Sequence, residues 1–180
     1  MQRTIKYLAY TLLTAVLLTS CGNGESLQRY YVDHQEAKNF ISQDIPLSMM
    51  EIDKSNFTEE QNEAYNSVDK LNFLGYKTSE TDTETFKVEL AKVKTILGDS
   101  KYNDLMEFSD KGNKISVKYI GTDDEADEVI VFGSAKDMGF GIVRILGNDM
   151  SPDKMVTLIS ALQSANIDEA QIENIMNFFK

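Results

Sequence analysis

The chain holds one histidine, His34, one cysteine, Cys21, and 29 Asp and Glu residues, the groups from which a His-based triad, a metal site or a carboxylate pair would be assembled. A Ser-His-Asp or Cys-His set would have to use His34 as its base. His34 falls, however, in a stripe with Leu27, Tyr31, Ala37 and Ile41 at intervals of three or four. Such a stripe is one face of a helix, where an imidazole reads as a packed, hydrogen-bonded residue rather than a base. A zinc site takes three or four protein ligands, and one His with one Cys leaves only carboxylates. No metal, cofactor or catalytic residue is expected.

The densest acidic run, Asp123-Asp124-Glu125-Ala126-Asp127-Glu128, has the ligand type of a calcium loop without its spacing. Counted from Asp123, the positions that need Gly and Glu carry Glu128 and Ser134. The run reads instead as a solvated hairpin connection whose charge keeps sheet edges apart. Gly133-Ser-Ala-Lys-Asp-Met-Gly-Phe-Gly141 follows a strand but leads into another strand. A phosphate loop would lead into a helix, so this segment is a turn in which Gly139 and Gly141 allow close backbone approach. Paired carboxylates for glycoside hydrolysis depend on a spatial separation, and the chain has no Trp to stack on a sugar. Tyr30 and Tyr31 are adjacent and are expected on different faces of the first helix, one of them exposed.

Cys21 has a different use. Arg3 and Lys6 are the only charges in residues 1–20, and Tyr7 to Leu18 is apolar. A basic start and a short apolar stretch form a signal peptide, too short for the ~20 residues of a spanning helix. Leu18-Thr19-Ser20-Cys21 resembles the bacterial lipobox. The resemblance implies that the Cys21 sulfur takes a diacylglyceryl group, that the chain is cut just before Cys21, and that the new amino terminus is acylated. Residues 1–20 are then the signal peptide, 21–26 the acylated Cys and tether, and 27–180 one domain. The expected partner is the lipid bilayer, reached through Cys21, together with an envelope protein. Gly22 stands where a retention signal would place Asp, and Glu25 is the only acid in the tether. The expected location is therefore the outer membrane, facing the periplasm.

Removing residues 1–20 removes two basic residues and no acid, so the net charge falls from −11 to −13. Such a body argues against nucleic acid and against anionic lipid surfaces as electrostatic partners. With 42% hydrophobic residues and only two prolines, the mature chain reads as one globular domain.

Capping-box spacings at Thr58/Gln61, Thr81/Glu84 and Asp168/Gln171 predict helices over 58–70, 81–97 and 168–179, and Ser151-Pro152 opens another. Phe86, Leu90, Val93 and Leu97 form an inward face that Gly98 ends. Strands are expected at 45–52, 71–76, 102–108, 115–120, 129–132 and 140–146, with a hairpin turn at Asp110-Lys111-Gly112-Asn113. The fold class is α+β, a single domain with a mostly antiparallel sheet, a C-terminal strand meander and helices packed on one face.

That order, with the lipobox in front and Phe140-Gly-Ile-Val-Arg-Ile-Leu-Gly147 running into Met150-Ser-Pro-Asp153, resembles a family of uncharacterised Bacteroidetes lipoproteins, domain of unknown function 4252. The resemblance implies compartment and fold class and transfers no site; the helix from Asp168 looks like an addition to it. The leading expectation is a membrane-anchored, non-enzymatic binding or scaffold module. The alternative is a carrier of a lipid or other apolar ligand, with Met49, Met50, Met106 and Met155 as adaptable lining. A hydrolase is third.

Overall fold

The computed structural model describes residues 25–50, 52–79, 81–110, 113–164 and 169–179. The expected signal peptide, with Leu18, Thr19, Ser20 and Cys21, lies outside the described residues. In chain order the elements are α1 (Leu27–His34), β1 (Phe40–Pro46), a 3-10 turn (Leu47–Met49), α2 (Glu59–Asn66), β2 (Val68–Lys77), α3 (Thr83–Leu97), β3 (Asn103–Asp110), β4 (Asn113–Gly121), β5 (Ala126–Ala135), β6 (Gly139–Gly147), α4 (Pro152–Ser164) and α5 (Glu169–Phe179).

Local chemistry explains most of the boundaries. The Ser26 hydroxyl caps α1 by accepting from the Arg29 N–H. The predicted stripe runs only to His34, because Asn39 adopts φ 67° and turns the chain into a strand. Ile41 therefore pairs with Gly75 instead of extending the helix. The Thr58/Gln61 capping box forms with both reciprocal bonds, but α2 stops at Asn66, where the β-rich segment from Val68 takes over. The strand expected over 45–52 lies earlier, ending at Pro46, which has no N–H to continue a ladder.

The third helix starts one residue later than the Thr81 box predicts, with Asp82 as its first cap and Gly98 at its end. Pro152 opens α4 as expected, and Ser151 Oγ accepts from the Lys154 N–H. Asp110 pairs with Asn113 across the predicted hairpin; its two linking residues, like the Asp168 cap of α5, lie outside the described residues.

The six strands form one antiparallel sheet in the order β1-β2-β6-β5-β4-β3, so β3 to β6 is a meander that closes against β2. This is the expected α+β class. The helices cover both faces rather than one. Leu74, Ile142 and Ile130 alternate with Ile145, Val129 and Val117, and each set nucleates its own core. The first set packs with Leu27, Tyr30 and Tyr31 of α1 and with Phe86, Val93, Ile96 and Leu97 of α3. The second packs with Ala64 and Tyr65 of α2 and with Met155 and Leu158 of α4. Period-two alternation of apolar residues on both sides of the central strands requires cover on both sides.

Candidate functional site

On the α4 face the sheet offers two apolar rows, Leu71–Ile145–Val129 and Phe73–Val143–Val131, each set by strand register. Leu158, Ile159 and Leu162 of α4 roof them from one side, and Leu47, Met50 and Ile52 from another. Between roof and floor is a cleft of about 320 Å³ lined entirely by apolar side chains. That is the lower end of the ~300–1,000 Å³ range of small-molecule sites.

The next row is Gly75–Gly141–Gly133, three glycines paired across β2, β6 and β5. A row without side chains makes a trench in the sheet surface. Part of it is filled by aromatic rings: a Cβ on Gly75 would lie 2.9 Å from Phe73 Cζ and 3.0 Å from Phe179 Cζ. Over Gly133 the nearest atom to such a Cβ is 3.8 Å away, and a second recess of about 230 Å³ opens there, bounded by Ile115, Met138 and Phe179. Phe179 also meets Phe73 edge to face at 6.5 Å, so α5 docks on this face through its last turn.

The opposite face carries polar networks. Glu89 of α3 is buried, with Oε2 accepting from the Tyr30 hydroxyl at 2.8 Å and lying 3.3 Å from His34 Nε2, while Oε1 takes the Lys92 ammonium at 2.7 Å. His34 Nδ1 sits 2.8 Å from the Tyr30 carbonyl, and its ring stacks on Tyr30 at 4.0 Å. The expectation of a packed, hydrogen-bonded histidine therefore holds. Burial pushes the Glu89 carboxyl up, but the bonds from Lys92 and Tyr30 and the nearby positive charge outweigh it and hold the group below its ordinary value. An anion with both oxygens engaged is a clamp between α1 and α3, without a free lone pair aimed at a cavity.

Two further carboxylates are similarly occupied. Asp82 Oδ2 takes the Tyr76 hydroxyl and the Asn39 amide, both at 2.7 Å. Burial and this bond push the Tyr76 phenol up to about 12. Glu128 receives Arg144 Nε at 2.6 Å and Nη2 at 2.8 Å, a bidentate pair under the Tyr31 ring. The acidic run is thus not wholly a solvated connection: strand β5 begins at Ala126 and turns Glu128 inward.

Tyr30 and Tyr31 are both buried, correcting the expectation that one is exposed. The short α1 is enclosed on two sides, and the Tyr31 hydroxyl reaches the carbonyls of Asn72 and Ile142 at 2.9 and 2.7 Å. Of the methionines, Met50 lines the cleft, Met155 is core, Met106 packs at the margin of the same cluster and Met49 is exposed. Gly139 has φ +127°, and a Cβ there would meet the Tyr76 carbonyl oxygen, which is why the turn needs glycine. Among the described residues no three His, Cys, Asp or Glu side chains are placed to hold a metal ion, and no helix is long and apolar enough to cross a membrane.

Sequence reasoning did not locate the cleft. Its lining is legible as alternating apolar positions in β2, β5 and β6 and as Leu158/Ile159/Leu162, but these patterns also describe a filled core.

No curated protein and no solved structure matches the chain. The model of the family described as Domain of unknown function (DUF4252) matches residues 30–158, from within α1 to the middle of α4 and excluding α5. A match over more than half of the chain, spanning all six strands, assigns membership: the chain belongs to the DUF4252 family.

Proposed function

We propose that the protein is a lipid-anchored lipoprotein of the cell envelope that carries an apolar ligand in the cleft beneath α4. The observation that favours carriage over a bare scaffold is the cleft itself, about 320 Å³ with a wholly apolar lining between α4 and the sheet. Exposed apolar surface of this kind is what a buried ligand stabilises, at roughly 25 cal/mol per Å² removed from water. The carboxylates that come nearest to a catalytic arrangement, Glu89, Asp82 and Glu128, each hold a structural partner, which supports binding over hydrolysis. The anchor rests on the lipobox and Cys21.

Two measurements test the reading. Palmitate labelling should mark the parent protein, and Cys21→Ala should lose the label together with its membrane fraction. An unlabelled parent, or a mature-sized variant that stays on the membrane, contradicts the anchor. Solvent extraction of protein purified from envelopes, followed by mass spectrometry, should release a consistent class of apolar molecule. Leu162→Gln, which places an amide in the roof, should release much less. Equal recovery from both, or none from either, contradicts carriage.

A further inference from the structure

The sheet face that carries α1 and α3 is not fully covered. Beyond α3 the surfaces of β3 and β4 stand open, leaving a cleft of about 340 Å³ with a floor of Leu97 and Phe132. Lys94, Lys114 and Lys118 line it, with Asp104 and Glu107. Lys118 pairs with Asp104 at 2.6 Å and Lys114 with Glu107 at 2.7 Å. That leaves Lys94 as the excess charge, so the cleft is net positive in a chain of net charge −11. The Lys118 side chain is only 16% exposed whereas Asp104 is 83% exposed, so the ammonium is held in place and its counter-ion is free to swing out. Lys94 stands in the last turn of α3, where the helix carbonyls favour a cation.

The position of this cleft relative to the tether gives it a partner. Leu27, the first residue of α1, lies against the Tyr102 hydroxyl through its backbone. Tyr102 packs in the same cluster as Leu97, and its N–H closes a turn on Asp99 just after the Gly98 rim. Cys21 is five residues before the Ser26 cap, a reach of at most about 18 Å at ~3.3–3.6 Å per residue. An acyl anchor on Cys21 therefore holds this end of the domain at the bilayer surface.

We infer that the lysine-rimmed cleft binds the phosphate of an anionic phospholipid, with Lys94 and Lys118 as its cationic contacts and Leu97 and Phe132 beneath the glycerol. The inference rests on the anchored reading for its placement. It locates an attraction to anionic lipid that the overall charge conceals, since a local field within a Debye length of ~8–10 Å outweighs distant acids.

Lysine footprinting of the full-chain protein purified in detergent and reconstituted into vesicles tests it. In vesicles of phosphatidylcholine with phosphatidylglycerol, labelling of Lys94 and Lys114 should fall several-fold relative to Lys54 and Lys87, and phosphatidylcholine alone should not protect them. Lys94→Gln combined with Lys118→Gln should abolish the protection of Lys114 while leaving the circular dichroism spectrum unchanged. No protection by the anionic vesicles, or protection that survives the double substitution, overturns the proposal. Equal protection by inorganic phosphate also overturns it, in favour of a free-anion site. A protein that fails to float with phosphatidylcholine vesicles contradicts the anchor instead; soluble dihexanoyl phosphatidylglycerol then decides the cleft separately, by the same footprint.

Discussion

Glu89 of α3 is a buried carboxylate shared between Tyr30 and Lys92. Its burial opposes charge, yet Lys92, Tyr30 and His34 surround it with donors and positive potential, and the carboxylate is retained. Glu89→Gln keeps the shape and removes the charge; charge-assisted hydrogen bonds contribute about 1.5–3 kcal/mol each, so a loss of that order is expected. Urea denaturation at neutral pH should show a lower midpoint with an unchanged slope. Burial also pushes the phenols of Tyr30 and Tyr31 above their ordinary range and that of Tyr76 to about 12. A phenol with a raised native value binds its proton more tightly when folded than when unfolded. The stability it contributes is complete below pH 10, the unfolded value, and is lost as pH rises from 10 towards 12. Urea midpoints should therefore fall steeply across that window, and Tyr76→Phe should lessen the slope. Midpoints that stay flat would contradict the burial of these hydroxyls.

Among the elements, the glycine row separates positions that need a missing side chain from one that does not. Gly75→Ala puts a Cβ into the Phe73 and Phe179 rings, an overpacking expected to cost about 1–3 kcal/mol. Gly133→Ala meets nothing closer than 3.8 Å and should be neutral or stabilising. Thermal melts of the two variants should move apart. Deleting residues 167–180 removes Phe179 from Phe73, and the melting temperature should fall; an unchanged value would mean that α5 contributes nothing to the fold. How much of this was legible depends on the range of the interaction that decides it. Thr58/Gln61, Ser151-Pro152 and Gly98 act within one turn, and their helices begin or end as the residues predict. The run from Leu27 to Ile41 keeps helical spacing but is broken by Asn39 and by the pairing of Ile41 with Gly75. The Glu128–Arg144 pair depends on strands that meet only in the fold. The cleft was hidden for a further reason: a gap between two packed layers leaves no mark in a pattern that a filled core shares.

For the whole molecule, the two sheet faces differ in chemistry. One is tied together by Glu89, Asp82 and the Arg144–Glu128 pair and carries α1. The other stays apolar and incompletely filled between α4 and the sheet. An acidic body of this kind adds little general attraction to an anionic surface, so in the proposed reading the attachment falls to acyl chains on Cys21, each buried methylene contributing about 0.8 kcal/mol. Carriage of an apolar ligand requires the cleft to be open, so filling it should weaken binding. Val131 lines the floor and is only partly buried, so Val131→Phe occupies the space with apolar atoms. Equilibrium titration of the full-chain protein with a fluorescent fatty acid should show saturable one-to-one binding. The Val131→Phe protein, with an unchanged melting temperature, should bind at least about tenfold more weakly, a loss of ~1.4 kcal/mol. Equal affinity in the two proteins, or no saturable binding by the parent, would contradict carriage.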